Sequence, residues 1–582
     1  MEIKIAKTAG FCTGVQRAMN ILLDTARLGK PPIYTFGPLI HNPQVIALLE
    51  RRGIIALSNP DAVPIGTLVI RAHGIPPQTR KILKSKGFKL CDATCPHVAQ
   101  VQSIVKSHSR KGYHIIIIGD KGHAEVAGIL GFAEGRGTVI SCLSEVDALL
   151  KKMDQIGVDQ ICVVAQTTQN IEVFHRITKE ICGRFPRAKI FNTICASTYK
   201  RQEEALNIAR QVDAMVIVGG KNSANTVRLA NMIRALPKPT FHIEVPIELP
   251  SREMEKFDRI GVTAGASTPN WIIDGVTEKL NSIKQAKASP LMRYLMQTFQ
   301  FLDRSDLFVA IGAFSISYAA SLLQGIALSF PLLFIPALYI FAMYLFNHLI
   351  DQQDLEGNEP TNLLSFSRYT ASRIILALIS VVLALTLSIR LGLYPFLFLL
   401  LASIAGIAYS IPLVPHKWQV YTQFRRLKDI PASKDIFLAG SWASVAIGIP
   451  LLEGADSPGI HTLVCFVFIA TIVFIRSVLQ DIRNIQGDRI VGRETLPIII
   501  GQERIRPLLF VTSLPALVLL TAAGYFGWTT SLGYTLSLCI FFTWIFMFIS
   551  HRNIVSKGIV SKLIIDSNFI LSGLIAMLWK IF

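Results

Sequence analysis

The sequence predicts an α/β domain with mostly parallel sheets, followed by an all-α polytopic membrane domain of about nine helices. Three observations carry that reading. Residues 1 to about 285 repeat one theme: a short apolar strand, a Gly- or polar-rich turn, then a helix. Near residue 290 the composition changes, and apolar runs of roughly 20 residues take over, the length that crosses a bilayer. Between those runs, Lys and Arg collect on alternate sides only. The chain's 582 residues, 51% of them hydrophobic, exceed what one compact core holds.

In the first part, the candidate strands are "EIKIA" at 2–6, "TLVIRA" at 67–72, "HIIIIG" at 114–119, "QICVVAQ" at 160–166, "AMVIVGG" at 214–220 and "RIGVTAG" at 259–265. All are rich in β-branched or apolar residues, with helical stretches between them. A strand–helix alternation of this kind makes parallel sheets, and ligands then bind beyond the strand C-termini. The expected division is a first domain over 1–285, a linker over 286–300 and a membrane domain over 301–582.

In the second part, nine spans are expected near 308–327, 331–350, 374–390, 393–411, 436–452, 461–480, 507–526, 531–549 and 563–581. The alternate loops at 351–373, 412–435, 481–506 and 551–562 hold fifteen Lys and Arg, and the opposite ends hold about one, Arg390. That asymmetry places the first domain on the cytoplasmic side of an inner membrane. "MEIKIAKTAG" lacks the apolar core of a signal peptide, which agrees.

The formal net charge is +19. No nucleic-acid-binding motif accompanies it, and much of the Lys and Arg lies between spans, so a nucleic-acid partner is not expected. Nine cysteines at irregular spacing in a cytoplasmic setting do not suggest disulfides. They leave metal binding, catalysis or plain burial.

The polar ends of the strands hold chemistry-bearing residues. "TAGFCTGVQRA" places Cys12 between strand and helix, "CDATCPHV" does so for Cys95, and "NTICASTYKRQ" for Cys195. A single buried cysteine is more often a small hydrophobe than a ligand. Three that converge suit an iron–sulfur cluster. His41 in "HNPQV", His73 in "RAHGIPP" and His123 in "GHAEV" also follow strands, as do Thr167 in "AQTT", Ser223 and Asn225 in "GGKNSANTVRL" and Ser267 in "TAGASTPNW". Histidines, hydroxyls, amides and helix N-termini together suit a diphosphate. Taken singly, Ser223 or Ser267 reads as a helix cap. Glu125, two residues after His123, is placed to deliver a proton. Cys91, Cys142, Cys162, Cys182, Cys465 and Cys539 read as structural.

These segments, from residue 1 to about 280, resemble the 4-hydroxy-3-methylbut-2-enyl diphosphate reductase family. The resemblance implies three α/β lobes around a central [4Fe–4S] cluster held by Cys12, Cys95 and Cys195. It implies a diphosphate held by His41, His73, His123, Ser223, Asn225 and Ser267, with Thr198 lining the site. Glu125 would supply protons, helped by His123 and Thr167. At Ala224 the family often has a second Ser, so one hydroxyl donor is missing while the backbone N–H remains. The implied reaction is reductive dehydroxylation to isopentenyl and dimethylallyl diphosphate, with electrons from a ferredoxin or flavodoxin.

In the second part, "NHLIDQQDLEGN" closes the second span with Asn347, Asp351 and Asp354, and "RSVLQDIRNIQGDRIVGRETLP" closes the sixth with Asp481 and Asp488. Acids at membrane edges mark function by default, and two such clusters can hold Mg²⁺ against a diphosphate. With "YSIPL" at 409–413 and "RRLKDIPASKD" at 425–435, this part resembles the UbiA superfamily of intramembrane prenyltransferases. That resemblance implies Mg²⁺–diphosphate binding by Asn347, Asp351, Asp354, Asp481 and Asp488, helped by Arg425 or Lys428. His348 and Asn484 stand where the family usually has acids, which weakens the metal site. A reductase with a chemically degenerate membrane anchor is the alternative. A membrane-tethered iron–sulfur sensor is a further one, and it would require loss of Glu125 or the diphosphate cradle, both of which are present.

Overall fold

The computed structural model describes residues 1–29, 32–286, 289–356, 363–411, 426–453, 458–491, 493–551 and 559–582. It divides into two compact units, Met1–Ala288 and Ser289–Phe582.

Unit 1 begins with β1 (Glu2–Ile5) and α1 (Thr13–Leu28). A first lobe follows: β2 (Ile33–Phe36), α2 (Pro43–Arg51), β3 (Ile54–Leu57), β4 (Thr67–Ile70), α3 (Pro77–Ser85), β5 (Lys89–Asp92) and α4 (Pro96–Arg110). The second lobe holds β6 (His114–Ile118), α5 (Ala124–Leu130), β7 (Gly137–Ile140), α6 (Val146–Gln155), β8 (Ile161–Ala165), α7 (Ile171–Arg184), β9 (Lys189–Ile190) and α8 (Ala196–Gln211). The third holds β10 (Ala214–Val218), α9 (Ala224–Arg234), β11 (Thr240–Ile243), α10 (Ser251–Met254), β12 (Arg259–Ala264) and α11 (Asn270–Ala286).

Each lobe carries a four-stranded, all-parallel sheet. The orders are β3-β2-β4-β5, β7-β6-β8-β9 and β11-β10-β12-β1. With strands counted in chain order within a lobe, all three read second, first, third, fourth. The third lobe borrows its fourth strand from the start of the chain: β1 pairs with β12 from Glu2↔Arg259 to Ile5↔Val262.

Position in the sheet explains the composition. The inner strands β4, β8 and β10 are buried at every residue, as a parallel sheet covered on both faces requires. The outer strands β3, β7 and β11 mix buried with half-exposed or exposed positions, while β1, β5 and the two-residue β9 have no buried position. Helix starts are set locally. Asn42 accepts from the Val45 N–H at 3.0 Å, Asn170 accepts from Glu172 and Val173, and proline opens α2, α3 and α4.

Unit 2 is helical: α12 (Pro290–Arg304), α13 (Leu307–Leu323), α14 (Phe330–Glu356), α15 (Leu363–Leu391), α16 (Leu393–Ser410), α17 (Ser433–Glu453), α18 (Ile460–Val491), α19 (Leu496–Ile500), α20 (Gln502–Tyr525), α21 (Leu532–His551) and α22 (Ile559–Ile581). Among the described residues, eight helices are long and apolar enough to cross a membrane, or nine if the bent pair α12–α13 counts as one span. The expected first span, 308–327, is shorter than predicted. Its helix stops at Leu323, and the chain turns at Gly325 with φ +73. Residues 290–300 of the stretch expected as linker belong to α12.

The bundle core gathers around Trp442, Phe468 and Phe569, all nearly sealed from solvent. α13 and α22 approach closely through small residues. A Cβ on Gly312 would lie 2.9 Å from that of Phe569, and one on Gly573 would lie 2.7 Å from that of Ser315. Outward positions stay apolar: Leu378, Val382, Leu401 and Val518 are all exposed, as a lipid-facing surface requires.

Candidate active site

The threefold repeat of unit 1 places its polar residues. After the first strand of each lobe come His41, His123 and Ser223. After the third come His73, Thr167 and Ser267. After the fourth come Cys95, Cys195 and Cys12. All nine line one cavity of about 110 Å³, together with Glu125, Thr198, Ala224 and Asn225. Every residue the sequence nominated for this half therefore reaches the same space.

One end of the cavity is soft. Cys12, Cys95 and Cys195 each cap a helix N-terminus, those of α1, α4 and α8. That position favours a thiolate, because the helix dipole and free N–H groups face it. Cys12 Sγ accepts from the Val15 N–H at 3.4 Å. Burial pushes the Cys95 thiol up, and the sulfurs of Cys12 and Cys195 add to that. Gly14 keeps the space between sulfurs open: a Cβ there would lie 2.6 Å from Cys95 Sγ and 3.8 Å from Cys12 Sγ.

Arg201 on α8 lies beside this end, 2% exposed. Its Nη1 donates to Ala264 O at 2.6 Å and its Nη2 to Gly10 O at 2.9 Å, joining the loops that carry Ser267 and Cys12. Burial lowers its pKa to about 10, opposed by Cys12, Glu204 and Cys195, so it remains a cation at neutral pH. Three thiols, a gap held by glycine and a buried guanidinium fit an anionic, thiolate-bound cluster.

The other end is hard. The rings of His41, His73 and His123 lie 5.3 to 6.2 Å apart, with ligand nitrogens within 4.8 Å of one another. All three are pushed towards the neutral form: His41 by burial and then Arg71, His73 far down by burial and its histidine neighbours, and His123 to about 4, chiefly by burial. An anion among them would reverse that. Asn225 Nδ2 is a buried donor without a hydrogen-bond partner among the described residues. Ser223 begins α9 without a side-chain cap, so its hydroxyl is not spent on the helix, and Ser267 Oγ lies 3.4 Å from it. Orphaned donors around neutral imidazoles fit a diphosphate.

Glu125 lines the same cavity, 2% exposed. Its Oε1 accepts the Thr167 N–H at 2.7 Å, and its own N–H donates to His123 Nδ1 at 3.2 Å. Neutral His123 therefore carries its proton on Nε2. Burial raises the Glu125 pKa against the pull of the Thr167 hydrogen bonds. Arg228 steadies the neighbouring loops: it holds Asp120 at 2.7 and 2.8 Å and Thr168 O at 2.6 Å.

In unit 2 a polar belt joins four helices. Ser410 donates to Asn347 Oδ1, linking α16 to α14. Tyr409 and Ser433 share a hydrogen bond of 2.9 Å between α16 and α17. Lys434 on α17 pairs with buried Asp481 on α18, and Ser477 Oγ donates to buried Asp435 Oδ1 at 2.6 Å. The second oxygens of Asp435 and Asp481 are buried without a hydrogen-bond partner among the described residues. Asp488 is 9% exposed and faces Arg493 at 3.9 Å. His348, found where the UbiA resemblance expects an acid, pairs with Asp306 at 2.8 Å. Asp351 and Asp354 lie outside the residues whose side chains are described, and Arg425 lies outside the described residues altogether.

Comparison with known proteins agrees with both units. Residues 3–281 match the family model described as LytB protein, and residues 306–562 match that of the UbiA prenyltransferase family. A curated 4-hydroxy-3-methylbut-2-enyl diphosphate reductase from Opitutus terrae is 41% identical over 297 residues, all of that protein and 49% of this chain. The chain belongs to the 4-hydroxy-3-methylbut-2-enyl diphosphate reductase family. A solved reductase structure of the family is 40% identical, covering 48% of this chain and 100% of that one at TM-score 0.38. A UbiA homolog from Archaeoglobus fulgidus, solved with GPP and Mg²⁺, is 19% identical, covering 48% of this chain and 99% of that one at TM-score 0.35.

In the reductase unit, sequence reading passed over Gly14, Arg201 and Arg228. Glycine in a first helical turn and Arg in "YKRQ" carry no signal, because their roles arise only when loops meet. In the membrane unit it passed over the pair Arg476–Asp566, both buried, at 2.7 Å, with Tyr344 and Gln480 attached. Ionisable residues inside apolar runs were the available signal.

Two outcomes follow from this geometry. Gly14→Ala gains helix propensity of about 1 kcal/mol but drives a methyl into Cys95 Sγ. The reconstituted variant is expected to lose iron and visible absorption while its far-UV circular dichroism stays parental; parental iron content would refute the packing argument. The second concerns pH. His123 titrates near 4 in the folded state and near 6.5 unfolded, so between those values the unfolded chain binds more protons. The urea midpoint of a 1–286 fragment should fall as pH drops from 7 to 4.5, and His123→Asn, which can still cap α5, should flatten that slope.

Proposed function

We propose that unit 1 reductively dehydroxylates 4-hydroxy-3-methylbut-2-enyl diphosphate to isopentenyl and dimethylallyl diphosphate. The observation that carries this is one cavity lined by three cysteines, by histidines, hydroxyls and an amide, and by a buried carboxyl. Cys12, Cys95 and Cys195 would hold the [4Fe–4S] cluster, which when bound supplies electrons and a Lewis-acidic iron. His41, His73, Ser223, Asn225, Ser267 and the N–H groups at the start of α9, including that of Ala224, hold the diphosphate. Its charge draws protons onto the histidines and pairs the buried Asn225 donor. Thr198 lines the cavity beside Cys195.

Glu125, whose pKa burial raises, acts as the general acid for the leaving hydroxyl. Thr167 relays that proton through its hydroxyl, which also bonds the Glu125 carboxyl. His123 orients Glu125 through its backbone and presents Nε2–H to the cavity. The cavity walls exclude water from the reduced substrate. Arg201 balances the charge of the sulfur end. One-electron carriers such as ferredoxin or flavodoxin suit the supply of electrons.

For unit 2, we propose a UbiA-type prenyltransferase site in which Asn347, Asp351, Asp354, Asp481 and Asp488 hold Mg²⁺ and a diphosphate, with the reductase on the cytoplasmic side of an inner membrane. Partnerless buried oxygens on Asp435 and Asp481 suit a divalent cation. One observation favours the second reading, an anchor without chemistry: Lys434 already neutralises Asp481, and His348 is taken up by Asp306.

The deciding experiment for unit 1 is an anaerobic assay of the reconstituted 1–286 fragment with reduced viologen and the substrate. Glu125→Gln should keep the cluster spectrum and lose roughly 10²- to 10⁴-fold in kcat. Cys195→Ser should lose both; a turnover unchanged in Glu125→Gln would remove the assigned acid. For unit 2, geranyl diphosphate with Mg²⁺ should raise the melting temperature of the full chain, and Asp481→Ala should abolish the rise. No rise in the parent favours the anchor.

A further inference from the structure

The helix α12 has an apolar face that the described residues leave largely uncovered. At about 100° per residue, Leu291, Met292, Leu295, Met296, Phe299 and Leu302 share one side, while Arg293, Gln297 and Gln300 share the opposite side. Leu291 is 70% exposed, Leu295 42% and Phe299 48%, and Tyr294 and Phe301 at the flanks are 68% and 62% exposed. A helix of a soluble bundle would bury such a face.

Three facts select the occupant. α12 runs directly into α13, which belongs to the apolar bundle, so its apolar face continues a surface that already faces lipid. The axis of Pro290–Leu302 is bent by 76° from that of Leu307–Leu323. If α13 stands near the membrane normal, α12 lies near the membrane plane. Finally, α12 has 15 residues, about 22 Å of helix at 1.5 Å per residue, too short for a hydrocarbon layer of about 30 Å.

We propose that α12 is an in-plane interfacial helix. Its Leu–Met–Phe face sinks into the acyl boundary of the leaflet, exposed Arg293 and Gln297 face headgroups and water, and Tyr294 and Phe301 sit at the level where aromatic rings are favoured. The partner is the bilayer itself, not a second protein. The inference rests on unit 2 spanning a bilayer.

The test uses the full chain in nanodiscs containing anionic lipid, with an environment-sensitive fluorescent amino acid introduced by suppression, which leaves the native cysteines untouched. Probes at Leu291, Leu295 and Phe299 should be quenched by shallow lipid-borne nitroxide and shielded from iodide. Probes at Arg293 and Gln297 should show the reverse. A probe at Val382 on α15, 62% exposed, should be quenched only by deep nitroxide, and its failure would indict the spanning arrangement instead. With Val382 behaving so, iodide access at 291, 295 and 299 overturns the proposal, as does shielding from both quenchers, which would mean that protein covers the face.

Discussion

The reductase unit depends on one constraint: parallel strands all end on the same side of their sheet. Three sheets of identical order turn that side inward, so the turns after their first, third and fourth strands open on a common space. Helices begin in those turns. Their N-terminal N–H groups and dipoles face the cavity from many directions at once. The interior is therefore electropositive before any side chain is considered, and it suits an anionic cluster and an anionic substrate alike.

Within that field, side chains divide the labour by hardness. Fourth-strand turns supply sulfur from all three lobes, and first- and third-strand turns supply imidazole, hydroxyl and amide. Burial keeps the imidazoles neutral until an anion arrives, and it pushes the Glu125 pKa up. The same desolvation that would be a penalty in an empty protein becomes a preference for the right charge in a filled one. Arg201 is the exception, a permanent cation made tolerable by two backbone carbonyls.

Strands were legible in the sequence where they are buried on both faces, as in "HIIIIG" and "QICVVAQ". Six further strands escaped. Five are outer strands too short and too mixed to stand out, and β2 is a four-residue inner strand beside a helix that starts at Pro43. Site residues were legible because each follows a strand and because several motifs agree with one family. Gly14 and Arg201 were not, since a glycine's missing methyl or an arginine's reach to a distant carbonyl leaves no local pattern. In the membrane unit, length and charge asymmetry revealed the helices but not the bend before α13. Acids could be counted, but the lysine that neutralises Asp481 lies 47 residues away along the chain.

The borrowed strand β1 also sets an order of events. Glu2–Ile5 has no sheet to join until β12 at Arg259–Ala264 has been made, since β12 is its partner. Cys12, anchored just beyond β1, is thus the earliest sulfur synthesised and the last to reach its place. On the ribosome, the second and third thiols wait in lobes that can close on their own sequence while the first hangs from an unpaired strand. The cavity can therefore close only after the chain has been made as far as β12, at Arg259–Ala264, a few tens of residues before α13 begins at Leu307.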